Sequence, residues 1–174
     1  MKAKEVSAAN PQPQLELGSQ LGDDPDLQVD VNVKTTFLEA LWINMAEEPW
    51  TDKAVRQALA YSIDRDAVVT ALFGDLGVES ASQRLIQPAA ELYVTDAFST
   101  YTRDLAKVDE LMTGAGWAKN GDGFWEKDGT VAEVLIATTE GNQRRETTQD
   151  AMQAQLEEAG FKMSPDNSDA ATLF

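Results

Sequence analysis

The 174-residue sequence contains no cysteine and no histidine. Without thiols it has neither a disulfide framework nor a thiolate metal site, and it leaves the redox compartment open. Without imidazole it lacks the commonest general base and the commonest metal ligand, so every Ser-His or Cys-His nucleophile is excluded. Positive charge is scarce as well. Fourteen Lys and Arg against 30 Asp and Glu give a formal net charge of −16, which disfavours a nucleic-acid partner, and no concentrated basic patch offsets it. Long apolar runs are missing too: the best, Ala67 to Phe73, is broken by Thr70 and is far too short to span a bilayer. Met1 to Ala9 is basic, but no apolar core follows it, so it does not read as a signal peptide.

What is present is ordinary for a soluble globular protein, with 43% hydrophobic and 25% charged residues. The length suits one domain with a real core, or a large piece of something bigger.

The stretch from Pro49 to Val69 organises the rest and reads as two short helices set head to tail. Thr51 or Asp52 accepts from the first helix's orphan amides, and Pro49 keeps the entering chain extended. Val55, Ala58, Leu59 and Ser62 fall on one face at i, i+3, i+4 and i+7, with Lys53 and Gln57 turned outward. Asp64 recaps the chain, Asp66 suits a helix N-terminus, and Gly74 is the expected stop after Val68, Val69, Leu72 and Phe73.

Upstream, Pro11 to Gln14 is a stiff turn, followed by a short helix with Leu15, Leu17 and Leu21. The acidic run from Gly22 to Asp26 ends it as a solvated turn. Leu27 to Val33 alternates like a half-buried strand, and Thr35 to Met45 reads as a second strand, apolar on both faces at Leu41-Trp42-Ile43. Downstream, 75–93 is a loop. Asp104 caps a helix with Val108, Leu111 and Met112 on one stripe, Phe124 to Lys127 is a short strand, and Asp128-Gly129 is a hairpin turn. Val131 to Thr138 is the longer partner strand, and a helix from about Arg144 to Glu158 buries Met152, Leu156 and Ala159. Ala115-Gly116-Trp117 and Ala159-Gly160-Phe161 use one device twice: glycine gives a left-handed cap, then an aromatic enters the sheet layer before one more strand. Helix, hairpin, helix and strand from 104 onward make an α/β layer. Val55, Leu59, Val69, Leu111, Trp117, Val134, Met152 and Leu156 are its predicted core.

The polar groups have plain structural readings. Asn120, Asp122 and Asp128 lack the spacing of a calcium loop and fit a hairpin, so no metal or other cofactor is expected. Arg56 and Arg65, close in sequence to Asp52, Asp64 and Asp66, predict a structural ion-pair network. Arg144 and Arg145 oppose the dipole of the helix they start, and pair either with Glu146 or with a segment outside the chain. Trp117, Trp125 and Trp50 are read as core.

Asn44, Pro49-Trp50-x-Asp52, Val55-Arg56-Gln57-Ala58-Leu59-Ala60 and Ile63-Asp64-Arg65-Asp66-Ala67-Val68 together resemble the central signature of the family 5 extracellular solute-binding proteins. These are the oligopeptide-, dipeptide- and nickel-binding receptors of bacterial ABC importers. The family usually has Phe at the place of Trp50 and Ala at that of Ser62. The likeness runs from about Pro11 to the end and is weakest between 75 and 100. It implies part of a two-lobed periplasmic-binding-protein-like α/β fold (type 2, class C-like): a mixed sheet with packed helices and a β-hairpin. Residues 1–34 are then the tail of the first lobe and its crossover, and 35–174 an incomplete second lobe.

The function so implied is capture of a peptide or related small solute outside the cytoplasmic membrane, for import by ABC permease subunits, without chemistry. Contact with the membrane is expected only through a signal or lipid anchor that this chain lacks, which marks it as an internal fragment. Trp42 and Asn44, on one strand face near the crossover, are the candidate ligand-binding residues. The peptide receptors' acidic anchor for the ligand's amino terminus lies in a downstream segment and transfers to no residue here. The alternative is an enzyme with paired carboxylates, such as a glycosidase.

Overall fold

The structure, a computed structural model, describes residues 5–10, 17–30, 39–78, 80–84 and 96–173. Its elements are α1 (Leu17–Gly22), α2 (Lys53–Ser62), α3 (Arg65–Phe73), α4 (Leu105–Gly114), β1 (Ala118–Lys119), β2 (Trp125–Lys127), β3 (Thr130–Val131), β4 (Glu133–Ile136), α5 (Gln143–Glu158), β5 (Lys162–Pro165) and α6 (Ala170–Leu173).

The helical corner forms as its sequence directs. Asp52 caps α2 by accepting from Ala54 N at 2.7 Å, and Asp64 caps α3 by accepting from Ala67 N at 3.0 Å. Val55, Ala58, Leu59 and Ser62 are the buried face of α2. The Ser62 hydroxyl is satisfied inside by the Ala58 carbonyl at 2.8 Å, which makes a buried polar group tolerable. α3 ends at Phe73 with Gly74 as its C-cap, the stop expected from the sequence. That residue stays right-handed and opens a 3-10 turn over Gly74–Leu76, and the left-handed residue that ends the run is Gly77, at φ 75°.

Two elements, α4 and α5, close on this corner. Asp104, the cap of α4, donates its backbone N–H to the Tyr61 carbonyl at 2.9 Å, and Arg103 Nε donates to the Ser62 carbonyl at 3.1 Å. From α5, Gln155 Oε1 accepts from Asp64 N at 2.6 Å. Val108 and Met112 of α4 and Met152 and Leu156 of α5 join Val55 and Leu59 in one buried cluster. Six of the eight predicted core residues are buried; Val69 and Leu111 are half-buried, and Leu111 packs against the cluster.

α4 and α5 end alike. Trp117 N donates to Met112 O at 2.9 Å and Gly116 N to Thr113 O at 3.0 Å; Phe161 N donates to Leu156 O at 2.9 Å and Gly160 N to Glu157 O at 3.0 Å. Both are six-to-one and five-to-two Schellman closures, with the glycine left-handed and the following aromatic buried. The repeated device read from the sequence is present at both sites.

The hairpin turn at Asp128 (φ 51°) and Gly129 (φ 80°) joins β2 to β3, and β1 pairs antiparallel on the other side of β2. The single strand expected over Val131 to Thr138 breaks at Ala132. There Ala132 N donates to Trp125 O at 2.7 Å, while its carbonyl accepts from Lys162 N at 3.1 Å, so pairing passes from β2 to β5. β4 then runs parallel to β5, with α5 as the crossover, and a Thr139–Ser168 bridge prolongs the pair. Instead of the one mixed sheet expected there are two small ones, antiparallel β1-β2-β3 and parallel β4-β5, and with helices α2 to α5 they make the predicted α/β layer.

The strand expected over Thr35 to Met45 is not present in its described part. Residues 39–44 carry no strand pairing and 45–50 form turns, because no neighbouring strand meets them among the described residues. Residues 27–30 are likewise not strand, and 31–38 lie outside the described residues.

Candidate functional site

The segment from Glu39 to Trp50 crosses the outside of the α/β layer and is tied down at both ends. Glu39 Oε1 accepts from Arg144 Nη2 at 2.5 Å and from Arg145 Nε at 3.4 Å. Ile43 and Trp50 pack against the core, and Pro49 is buried. Arg56 Nη1 donates to the carbonyls of Trp50 at 2.6 Å and Thr51 at 2.9 Å, which fixes the entry to α2.

Between these ties the chain turns apolar groups to solvent. Trp42 is 90% exposed, and Leu41 and Met45 beside it are exposed as well. Asn44 is also exposed, but its Oδ1 accepts from Ala46 N at 3.1 Å and its carbonyl from Glu47 N at 3.4 Å, so half of its polar capacity shapes a turn. Trp42 and Asn44 thus lie on one outward stretch, without the strand expected over Thr35 to Met45. An indole left in water beside two further apolar groups is the feature of this surface that protein stability does not explain.

Arg65 holds a second cluster. Its Nη2 donates to Gln83 Oε1 at 2.8 Å, Phe98 O at 2.7 Å and Tyr101 O at 3.1 Å, and its guanidinium stands 5.6 Å from the Phe98 ring centre. Tyr61 and Tyr101 meet at 5.0 Å, and Gln57 Nε2 donates to the Tyr101 hydroxyl at 3.2 Å. Burial lowers the Arg65 pKa and the nearby Asp66 charge opposes the shift. The expected ion-pair network of Arg56 and Arg65 is therefore corrected. Both guanidiniums bind carbonyls, because Asp52 and Asp64 are spent on helix caps and Asp66 accepts from Ala81 N at 2.7 Å.

The start of α5 also differs from expectation. Glu146 does not pair with the arginines; its Oε1 accepts from Gly141 N at 2.7 Å, while the Asn142 side chain caps Arg145 N at 3.3 Å. Glu39, 105 residues before Arg144, is their partner. Two arginines set against a helix dipole were the signal that a carboxylate had to arrive, but spacing could not say from where.

In the turn before β2, Asn120 Oδ1 accepts from Asp122 N at 3.0 Å and Phe124 N at 3.1 Å, and its Nδ2 donates to Glu126 at 3.2 Å. These bonds account for Asn120 as a turn residue. Among the described residues no group of three His, Cys, Asp or Glu side chains converges as a metal ion would need.

The family described as bacterial extracellular solute-binding proteins, family 5 (middle part), matches residues 1–174. The chain belongs to that family. It is 29% identical over 141 residues to the oligopeptide-binding protein AppA of Bacillus subtilis, covering 79% of this chain and 25% of AppA. The structure of AppA, solved in complex with a nonapeptide, superposes with a TM-score of 0.63 over 75% of this chain and 26% of that one. The oligopeptide-binding protein of Thermus thermophilus, complexed with a pentapeptide, is 30% identical with a TM-score of 0.61, over 71% of this chain and 21% of that one. NikZ of Campylobacter jejuni, solved with Ni(L-His), shares the fold with a TM-score of 0.69 over 91% of this chain and 31% of NikZ, at 24% identity. The chain spans about a quarter of the length of the curated relatives it matches. Membership of a solute-binding family leaves the carboxylate-enzyme alternative without support.

Proposed function

We propose that the chain is part of a receptor that captures a peptide, or a related small solute, outside the cytoplasmic membrane and delivers it to the permease subunits of an ABC importer. The observation that carries this reading is the match of the family 5 solute-binding proteins along the whole chain. The peptide complexes of AppA and of the Thermus protein support a peptide as the solute. In this reading residues 1–34 finish a first lobe and cross over, and 35–174 belong to the second lobe. Trp42 and Asn44 then belong to the wall that closes on the solute, which accounts for an indole left exposed between two fixed ties. Calorimetric titration of the full-length receptor with peptide pools of graded length tests the reading. Saturable binding with a negative heat-capacity change is expected. Absence of binding to every pool, with binding of a metal chelate or sugar instead, would reassign the solute.

A further inference from the structure

The buried face of α5 carries one amide, Gln149, which is 4% exposed and lies on the same face as Met152 and Leu156. Its Nε2 donates to the Ile136 carbonyl at 2.7 Å and to Asn167 Oδ1 at 2.8 Å, and its Oε1 accepts from Asn167 Nδ2 at 3.0 Å. Asn167 Oδ1 also accepts from Thr138 N at 3.2 Å. The two amides thus face each other in a closed pair, and each holds one backbone group where β4 ends. Those backbone groups fix which way each amide points. The Ile136 carbonyl only accepts, so it takes the Gln149 nitrogen; the Thr138 N–H only donates, so it takes the Asn167 oxygen. An apolar side chain of the same volume would fill this place without desolvating an amide. What the amide pair adds is direction.

The place of the pair gives that direction a use. Past Ile136 and Pro165 the two chains stay side by side. Asp166 N donates to Ile136 O at 3.0 Å, Ser168 N to Thr138 O at 3.2 Å and Glu140 N to Ser168 O at 2.8 Å. From there 137–142 leads into α5 and 166–169 into α6. These are the carboxyl ends of parallel strands, the side on which open α/β sheets receive ligands. A connection that leaves its sheet is held by few bonds, and a site is only as precise as the groups that fix its walls. Here a helix, the end of β4 and the end of β5 meet in one buried hydrogen-bonded unit, in which each bond orients the next.

We propose that Gln149 and Asn167 are positioning residues of the receptor: their amide pair fixes where the chain leaves β4 and β5, and so sets the affinity of the solute site without touching the solute. Gln149, being buried, acts on the surface through Asn167 and through the backbone at Ile136 and Thr138. The proposal rests on the receptor reading above and assigns a role in that receptor to two side chains that the family signature does not include.

The test is calorimetry of the full-length receptor with a random pentapeptide pool, which reads Kd separately from the number of competent sites. Gln149→Met keeps the volume and the helix propensity and removes the amide. It should raise Kd roughly fivefold or more with the number of sites unchanged. A side chain that served folding alone would lower the number of sites and leave their Kd as it was. The reciprocal exchange, Gln149→Asn with Asn167→Gln, keeps one long and one short amide and should return Kd to within about twofold of wild type. Amide hydrogen exchange at Thr138 should quicken in Gln149→Met and recover in the exchange variant, because Asn167 then regains its orienting partner. Should Gln149→Met fail to fold, two changes at Asn167 carry the test. Asn167→Asp keeps an oxygen for Thr138 N and should weaken binding less than Asn167→Leu, which leaves that amide unserved. An unchanged Kd in Gln149→Met, no recovery in the exchange variant, or equal binding by the two Asn167 variants overturns the positioning role and leaves the receptor standing. A wild type that binds no pentapeptide overturns the peptide reading and this proposal with it.

Discussion

A β-carbon on Gly160 would lie 2.8 Å from Nε1 of Trp125, the same indole nitrogen that donates to the Ala159 carbonyl at 2.8 Å. The backbones meet as well, with Trp125 N donating to Gly160 O at 2.7 Å. One residue of the hairpin thus holds the end of α5, and only glycine leaves room for it.

Gly160→Ala should cost about 2–4 kcal/mol, the sum of left-handed strain and overpacking against the ring. Gly116, the matching position after α4, is the control. It is also left-handed, but an added β-carbon meets only the flexible end of Lys127, at 3.6 Å. Gly116→Ala should cost about 1–2 kcal/mol. Urea unfolding of both variants gives the difference, and equal losses would show that the contact with Trp125 contributes nothing.

Arg65→Lys should destabilise by about 1–2 kcal/mol, because an ammonium cannot serve the Phe98 and Tyr101 carbonyls and Gln83 together. Hydrogen exchange at residues 98–101 should rise with it. Asp66→Asn keeps an oxygen to accept from Ala81 N and should cost less. If Asp66→Asn proves the more damaging change, an ion pair is the main interaction of Arg65 after all.

These two cases mark what the sequence could tell. The α2 stripe and both Schellman ends were legible because they depend on residues within one or two turns of each other. The partners of Arg56, Arg65 and Arg144 were not, since a long cation takes whichever acceptor the fold delivers. The nearest aspartates were already committed to amides. The break at Ala132 was hidden for a similar reason. Alternation continues through it, and only the arrival of β5 makes pairing change hands. At the candidate site, the sequence singled out Trp42 through an expected strand face shared with Asn44 near the crossover, but it could not reveal Glu39 or the indole's exposure.

Acid should loosen the open face of the β4–β5 pair. Hydrogen bonds from Lys162 and Ser164 lower the Glu133 pKa from its ordinary value of 4.5. At the chain's last helix, the Thr172 hydroxyl and the Thr172 and Ala171 amides lower that of Asp169. A carboxylate depressed in the folded state contributes stability above its unfolded value and loses it as pH falls through the folded one. Asp169 is exposed and Glu133 only half-buried, so each effect is small. The urea midpoint should fall below about pH 4.5, and Glu133→Gln should flatten that fall slightly without altering the midpoint's trend above pH 6. A steeper acid loss in Glu133→Gln would reverse the assigned sign.

Trp42→Ala separates binding from folding. At 90% exposure the indole makes little contact within the layer, so its loss should change unfolding free energy by no more than about 0.5 kcal/mol. Trp117, at 6% exposure behind its left-handed glycine, is the opposite case, and Trp117→Ala should cost about 3–5 kcal/mol. In the full-length receptor an aromatic wall residue buried by the solute behaves like an interface anchor, and removing it should weaken peptide binding by roughly tenfold or more. Calorimetry against a pentapeptide pool reads the affinity, and thermal unfolding of the same samples reads the stability. Unchanged affinity in Trp42→Ala would remove this stretch from the solute's path. A large loss of stability would instead mean that the rest of the receptor covers the indole permanently, as core.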